Sequence, residues 1–250
     1  MPFFSVMITT YNSQKTIKNT LRSVIQQTTT EYELIIVDDH SVDNTLNIVH
    51  RILGKADISY RVIRLSKNLG VSAARNVGIL KSKGLYIAFL DDDDVWLPDK
   101  LETQKKIIVK KDVDWIFSNY YVIDDSYKKI GKRYRRAGYY DYKRIISNGN
   151  PIGMLTSVVK RDILINYPFR KIHHEDYDLW IRLSKKGYVG YMTNDYLAYY
   201  MKSESSTSSN KFKSFIWTYS IFRKNESFFK TLYLMFRYCL NVFKRKKKRI

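Results

Sequence analysis

The feature that most restricts the fold of this 250-residue chain is an apolar run that stops at four consecutive aspartates. The run is LYIAFL at 85–90, and the aspartates are Asp91 to Asp94. A short apolar run between a glycine and a charged cluster is typical of a strand buried on both faces of a parallel sheet. In open α/β sheets, ligands bind beyond the carboxyl ends of the strands, which is where these aspartates are expected.

Two interpretations of the aspartate cluster are open at this point. Four adjacent carboxylates repel one another, and burial would raise some of their pKa values. A hard divalent cation bound through oxygen removes that conflict. The alternative is a solvated acidic loop after an ordinary strand. The choice depends on what the neighbouring strands carry.

The first 110 residues alternate between strand and helix patterns. The first helix is expected to be capped by Asn12 or Ser13, and the second to start near Asp43. We expect strands at 4–8, 33–37, 60–65 and 85–90. The order β-α-β-α-β-α-β predicts the fold class α/β: a single doubly wound, mainly parallel sheet with helices on both faces.

The pattern is less regular after residue 111. An acidic turn at His173–Asp176 is expected to open a helix that Gly187 stops at its C′ position. The other elements that we expect are strands at 113–123 and 154–159, a short helix at 141–147, and a hairpin formed by 188–192 and 196–201.

The last 50 residues carry most of the unbalanced positive charge. The serine-rich segment 202–210 is the best linker candidate, and 211–243 combines apolar and basic residues at near-helical spacing. Six basic residues follow at 244–249. One interpretation is an amphipathic helix on an anionic membrane surface. The other is a helix packed on the main domain with a solvated tail.

The amino-acid composition restricts the kinds of binding partner and the cellular compartment that we expect. The chain has 44 Lys and Arg against 24 Asp and Glu, a formal net charge of +20, so nucleic acid, an anionic membrane and phosphorylated substrates are all candidates. The single cysteine, Cys239, excludes a disulfide framework and is typical of a reducing compartment. We see no signal-peptide pattern and no apolar stretch of the ~20 residues that span a bilayer.

Five motifs occur in an order that resembles a known family, the family-2 inverting glycosyltransferases of bacterial polysaccharide synthesis. They are SVMITTYN (5–12), IIVDDHSVDNT (35–45), KNLGVSAARNVGI (67–79), FLDDDDVWLPDKL (89–101) and HEDYDLWIRL (174–183). The resemblance implies the fold called GT-A over 1–203, with a nucleotide-sugar half at 1–110 and an acceptor half at 111–203. Residues 204–250 would then be a linker and amphipathic basic helices.

The resemblance also implies roles for individual residues. Asp91 and Asp93 would bind Mn²⁺ or Mg²⁺, Asp176 would be the general base, and Glu175 and Trp180 would form the acceptor side. The residues implied to bind the nucleotide sugar are Thr9, Tyr11, Asp39, Arg75 and Asp92. The reaction would be a single displacement in which an acceptor hydroxyl attacks the anomeric carbon, so the anomeric centre inverts.

Two departures from the family pattern stand out. His40 and Val42 replace the Gly and Thr that are common in the second motif, which should perturb that turn only slightly. Tyr199-Tyr-Met-Lys202 stands where many relatives carry Tyr-Arg-x-His. The segment therefore offers no histidine to a metal or phosphate, and Lys202 could meet the diphosphate as a point charge instead.

Our first hypothesis is therefore a metal-dependent transferase that uses a nucleotide diphosphate sugar, with a UDP-sugar favoured. Its expected acceptor is a lipid-linked or growing glycan, and its expected location is the cytoplasmic face of the cell membrane, bound peripherally. A nucleic-acid-binding protein would explain the positive charge, but it leaves the strand-end aspartates unexplained, so no nucleic acid is expected. A non-catalytic transferase-like scaffold is the third hypothesis, and the presence of both Asp93 and Asp176 counts against it.

Overall fold

The computed structural model describes residues 1–147, 149–202 and 211–247. The strands are β1 Phe4–Thr10, β2 Tyr32–Asp38, β3 Tyr60–Arg64, β4 Tyr86–Asp91, β5 Val95–Trp96, β6 Trp115–Ile123, β7 Lys129–Arg133, β8 Gly138–Tyr140, β9 Val158–Lys160 and β10 Gly190–Met201. The α-helices are α1 Ile17–Ile25, α2 Thr45–Leu53, α3 Val71–Lys81, α4 Lys100–Lys111, α5 Tyr142–Ile146, α6 Arg161–Asn166, α7 Glu175–Lys185, α8 Lys211–Asn225 and α9 Phe228–Lys247.

The strands form one sheet in the order β3-β2-β1-β4-β9-β6-β10-β5, with β7 paired to β6 and β8 to β10. The pairs β2–β3, β1–β2, β1–β4 and β6–β10 are parallel and form the longest ladders. The short strands β5, β7, β8 and β9 add antiparallel pairs. The predicted α/β class with a mainly parallel central sheet is confirmed.

The first half of the chain folds as its hydrophobic pattern predicts. Every residue of β1 and β2 is buried, because helices cover both faces of these strands. Gly84 precedes β4 at a crowded point, where a Cβ atom would lie 2.4 Å from the backbone nitrogen of Ser5. Only a glycine allows the chain to enter the sheet there.

Three local predictions were wrong. Helix α1 begins at Ile17, after Thr16, so neither Asn12 nor Ser13 caps it. The segment 154–159 is not one strand: Met154–Thr156 is a 3-10 turn, and only Val158–Lys160 is strand.

The third wrong prediction is the hairpin. Gly190–Met201 is one continuous strand, and the polar residues at its centre form an irregularity rather than a turn. There the hydroxyl of Thr193 accepts a hydrogen bond from the backbone N–H of Asp195, and the side-chain amide of Asn119 donates to the Thr193 carbonyl. Pairing with β6 therefore continues past the polar segment, which local sequence cannot indicate.

The two C-terminal helices pack on the main body of the protein. Ile221, Phe222, Leu234 and Met235 belong to the largest hydrophobic core cluster. The side-chain amide of Asn225 donates to Asp178 on α7 at 2.9 Å. No helix in the described ranges combines the length and apolarity needed to cross a membrane. Residues 203–210 of the predicted linker lie outside the described residues, so the division at 203 and 204 stays a prediction.

Candidate active site

The carboxyl ends of β1, β2 and β4 meet at one edge of the sheet. In the strand register Thr9 lies opposite both Val37 and Asp91, so the polar residues that end these strands come together. They border a cavity of about 350 Å³, which we call the strand cavity. Its lining residues are Thr9, Thr10, Tyr11, Asp39, Val71, Ala74, Arg75, Asp91, Asp92, Asp93 and Tyr200. The sequence-predicted nucleotide-sugar and metal residues all lie in this set.

Asp39 holds the loop that enters α3. Its two carboxylate oxygens accept hydrogen bonds from the backbone N–H groups of Leu69 and Gly70, at 2.7 and 2.8 Å. Gly70 has φ of +88°, a conformation that glycine adopts without strain. His40 has φ of +68°, a conformation that glycine adopts more readily than a residue with a side chain. The departure at His40 therefore leaves the turn itself in place.

Two of the four consecutive aspartates hold backbone segments rather than face the cavity freely. Asp92 accepts hydrogen bonds from the backbone N–H of Tyr11, at 3.1 Å, and from the hydroxyl of Ser13. Asp94 is 1% exposed and accepts a hydrogen bond from the backbone N–H of Met201 at 2.9 Å. These contacts join the aspartate turn to the loop after β1 and to the end of β10.

Asp93 is the aspartate with the most freedom to bind a ligand. It accepts no hydrogen bond from the side chain or backbone of any other residue in the described ranges. Burial, followed by repulsion from Asp91 and Asp92, raises its pKa to about 7. A cation beside Asp93 would relieve that repulsion.

The carboxylates of the strand cavity fit a divalent ion whose remaining coordination positions are filled by substrate and water. The described residues contain no group of three or more His, Cys, Asp or Glu side chains placed to hold a metal. Mg²⁺ is typically bound by one or two carboxylates together with substrate phosphates and water. Asp93, with Asp91 beside it, provides that kind of partial site.

Arg75 joins the strand cavity to the start of α7. It is 4% exposed, and its guanidinium lies 2.7 Å from Asp91 and 2.5 Å from Glu175. Burial alone would lower the pKa of Arg75, but attraction by these two carboxylates outweighs burial and raises it. The arginine therefore stays charged and fixes the relative positions of β4 and α7.

A second cavity, of about 480 Å³, lies at the N-terminus of α7, and we call it the helix cavity. It shares Val71, Arg75 and Asp91 with the strand cavity, so the two are adjacent. Its other lining residues are Asn150, Met154, His173, His174, Glu175, Asp176 and Trp217. The two cavities therefore lie side by side, with Arg75 and Asp91 in the wall that they share.

Asp176 has the properties of a general base in the helix cavity. One of its oxygens accepts a hydrogen bond from the side-chain amide of Asn150 at 2.6 Å. Burial, reinforced by the charge of Glu175, raises the pKa of Asp176 to about 7. A carboxylate whose pKa lies near neutral pH is well matched to taking a proton from a hydroxyl.

Trp180 corrects one sequence-based assignment. It is completely buried and its ring centroid lies 5.1 Å from that of Trp115, so it is a core residue and lines neither cavity. The face of α7 that carries Trp180 packs on the sheet, whereas the first turn of the helix faces the cavity. Lys202, the other speculative contact, is exposed and does not line the strand cavity.

The sequence did not identify Ser13, Asn150 or Trp217 as site residues. Ser13 lies directly after the first motif, and its position in a polar loop is the only signal that it carries. Asn150 and Trp217 lie in segments without a motif and reach the helix cavity only through the tertiary fold.

Comparison of the chain with known proteins identifies its family. The family model described as glycosyl transferase family 2 matches residues 5–178. The chain is 32% identical over 210 residues to the Escherichia coli UDP-Glc:alpha-D-GlcNAc-diphosphoundecaprenol beta-1,3-glucosyltransferase WfgD, covering 84% of this chain and 81% of that protein. It is also 32% identical over 248 residues to the putative teichuronic acid biosynthesis glycosyltransferase TuaG of Bacillus subtilis, covering 98% of each.

Solved structures support the fold. The S. aureus TarS fragment 1–349 in complex with UDP-GlcNAc superposes with a TM-score of 0.73 at 22% identity, covering 98% of this chain and 73% of that one. The mannosyltransferase PcManGT from Pyrobaculum calidifontis, in complex with GDP-Man and Mn²⁺, gives 0.70 at 16% identity, covering 89% and 64%.

Proposed function

The chain belongs to glycosyl transferase family 2, and from this premise we propose that it transfers a sugar from a UDP-sugar to a hydroxyl of a lipid-linked glycan. Its being a glycosyltransferase follows from the family, whereas the donor, acceptor and mechanism are our proposal. The observation that carries it is the adjacency of the two cavities, which share Arg75, with Asp93 lining the strand cavity and Asp176 lining the helix cavity.

The strand cavity is the proposed donor site. Tyr11 is 48% exposed at the cavity and offers a ring face to a nucleobase, while Thr9 and Asp39 provide polar atoms at the strand ends. The name of the E. coli relative specifies UDP-Glc, and TarS was crystallised with UDP-GlcNAc. These relatives favour a uridine nucleotide, and they are the reason that we test UDP-sugars first.

Asp93 and Asp91 are the proposed ligands of Mn²⁺ or Mg²⁺. Asp91 is positioned by Arg75 at 2.7 Å, which leaves its second oxygen for the ion. A bound divalent ion supplies Lewis-acid stabilisation of the charge on a departing diphosphate. The PcManGT complex, which contains Mn²⁺ on the same fold, is consistent with this assignment.

Asp176 is the proposed general base. Its carboxylate takes the proton of the acceptor hydroxyl while that oxygen forms a bond to the anomeric carbon, and the bond from that carbon to the diphosphate oxygen breaks. Asn150 orients the carboxylate, and the neighbouring Glu175 accepts a hydrogen bond from Arg75. A single displacement of this kind inverts the anomeric centre.

Helix α9 is the proposed membrane-docking surface. Phe229, Leu232, Tyr233, Phe236 and Leu240 are all exposed and lie on one helical face. Residues 228–250 contain no acidic residue and end in the basic run 244–249, whose side chains lie outside the described set. An apolar face beside positive charge favours an anionic bilayer. The acceptor of the E. coli relative is attached to diphosphoundecaprenol, which agrees with peripheral binding at such a surface.

The test of the donor assignment is ligand-dependent thermal stabilisation of the full chain. We expect UDP with Mn²⁺ to raise the melting temperature, because a ligand that binds only the native state stabilises it. Asp93→Asn should remove the Mn²⁺-dependent part of the shift. If neither UDP nor GDP, with or without metal, changes the melting temperature, the proposed function is wrong.

The test of docking is co-sedimentation of the full chain with vesicles. We expect binding to phosphatidylglycerol vesicles and weaker binding to phosphatidylcholine vesicles. The double variant Phe229→Glu, Phe236→Glu should lose binding, whereas Val109→Glu, at an equally exposed apolar residue on α4, should not. Unchanged binding of the double variant would exclude α9 as the docking surface.

A further inference from the structure

Trp217 is an aromatic side chain at the helix cavity that no motif predicts. It lies on α8, beyond residues 5–178 that match the family model. Its ring stacks on His173, with centroids 4.3 Å apart and planes inclined by 20°, and meets His174 edge-on at 5.3 Å. The C-terminal helix therefore supplies part of the wall of a cavity whose other walls come from the family core.

The position of Trp217 is set by contacts that leave the ring itself partly open. Helix α8 is anchored further along by Ile221 and Phe222 in the core and by Asn225, which donates to the buried carboxylate of Asp178. Trp217 itself is half-buried and borders two openings, the helix cavity and a smaller cleft of about 160 Å³ lined also by Ile172 and Ile221. A tryptophan needed only for packing would be covered, as Trp115 and Trp180 are.

The loop before α7 also holds the aromatic wall in place. His174 has φ of +57°, a left-handed conformation that is costly for a residue with a side chain. This conformation occurs one residue before Glu175 and two before Asp176. The same turn therefore presents the proposed base to the cavity and brings the His174 ring against Trp217.

The chemistry of the wall fits a sugar ring. An indole presents a broad apolar face with a polar edge, which suits a ligand that has both apolar C–H faces and hydroxyl groups. The neighbouring wall of the same cavity carries Asn150 and Asp176, which supply polar contacts. Cavities of this kind take specificity from a few placed polar groups on a mainly apolar lining.

We propose that Trp217, braced by His173, is an acceptor-specificity residue: the sugar ring that carries the attacking hydroxyl packs against its indole face. This inference rests on the proposed function, because it takes the helix cavity to be the acceptor site. Trp217 is not a catalytic residue, since it positions the acceptor and exchanges no proton. It follows that α8 contributes to choosing the acceptor, in addition to any part that α9 has in membrane docking.

Kinetics with Trp217→Ala, Trp217→Phe and Phe215→Ala test this inference. Phe215 is the matched control, because it is an exposed aromatic on the same helix that lines neither cavity. The acceptor is a single N-acetylhexosamine on a short polyprenyl diphosphate. We expect Trp217→Ala to raise the KM for this acceptor about tenfold, in line with the energy of one aromatic contact, with little change in kcat. Trp217→Phe should recover most of the loss, and Phe215→Ala should behave as wild type.

Two outcomes with these variants would overturn the inference. One is an unchanged acceptor KM in Trp217→Ala. The other is a parallel loss of UDP-dependent thermal stabilisation, which would mean that Trp217 only holds the site together.

Intrinsic fluorescence gives a second readout that needs neither donor nor metal. The chain has four tryptophans, and the other three are at most 2% exposed, so Trp217 is the tryptophan that a bound ligand can contact directly. We expect the lipid-linked sugar to change the emission of the wild type, and Trp217→Phe to abolish the change. Polyprenyl diphosphate without the sugar should give a smaller response.

Equal responses to the two lipids would mean that the indole contacts lipid, and would overturn the sugar assignment. No response in the wild type would overturn it as well. A protein that binds no nucleotide but still shows the sugar-dependent response would refute the proposed function while leaving the role of Trp217 in ligand binding intact.

Discussion

The strand cavity and the helix cavity share Arg75 and Asp91, yet they are assembled in different ways. The strand cavity lies at the ends of three adjacent parallel strands, and two of its carboxylates, Asp39 and Asp92, accept hydrogen bonds from backbone N–H groups. The helix cavity combines a loop, a 3-10 turn, the first turn of α7 and a side chain from α8. The sheet edge gives the strand cavity a lining fixed by backbone pairing. The lining of the helix cavity depends instead on loops and on a side chain from α8, so its shape can change when those segments change in sequence.

The largest effect is expected where the helix cavity performs chemistry. Asp176→Asn keeps the size of the side chain but removes the base, so we expect kcat to fall by about 10² to 10⁴, the usual contribution of general-base catalysis. UDP affinity should stay the same, because Asp176 does not line the strand cavity. Steady-state kinetics and nucleotide titration measure the two. A variant that lost both would show that the cavities are not separable in this way.

The next effect is expected at the residue that joins the cavities. Arg75→Met leaves Asp91 and Glu175 without their buried partner, so we expect the free energy of unfolding to fall by about 3 to 5 kcal/mol. Both UDP binding and transfer should weaken together, unlike the effect of Asp176→Asn. Arg75→Lys is the control, since it keeps the charge and loses the two-sided contact. A denaturation midpoint that did not move in the Met variant would contradict the joining role.

A smaller effect is expected in the pH dependence of kcat/KM for the acceptor, which reports on Asp176 in the helix cavity. The pKa of Asp176 is raised to about 7, so below this pH the base is protonated and kcat/KM for the acceptor should fall about tenfold per pH unit. Saturating Mn²⁺ is needed to limit the contribution of Asp93, whose pKa is also about 7. A profile that stays flat down to pH 5 would exclude Asp176 as the base.

Protein stability should change with pH in the opposite direction. The folded protein binds the Asp176 proton more tightly than the unfolded chain, so this residue stabilises the fold at low pH, and that stabilisation is lost as the pH rises through about 7. The difference in melting temperature between the wild type and Asp176→Asn across pH 4 to 8 isolates this contribution.

The smallest effect is expected in the strand cavity, at the hydrogen bond from Ser13 to Asp92. Ser13→Ala removes one of the bonds that hold the Tyr11 loop, so the Kd for UDP should rise by up to about fivefold, equivalent to about 1 kcal/mol. The value of kcat at saturating donor should not change. An effect on kcat alone would mean that the loop acts on the chemistry and not on nucleotide binding.

The contrast between the cavities also explains what the sequence could and could not predict. Asp39 and Asp93 come together because each follows a strongly patterned strand, and parallel strands bring their carboxyl ends to one edge. Arg75 lies on α3, the helix that precedes β4. Asn150 and Trp217 carry no local signal, because only long-range packing brings them to α7. Trp180 misled the prediction because a motif position does not reveal which side of a helix faces the core.

The buried attachment of α8 and α9 has a geometric consequence for the reaction. Asn225 is bonded to Asp178, and Glu226 accepts a hydrogen bond from Tyr142 and pairs with Lys185, so the C-terminal helices are fixed to α5 and α7. If α9 lies on a bilayer, the height of Asp176 above the lipid head groups is then constant. The distance between the bilayer and the acceptor hydroxyl would then be set by the fold itself.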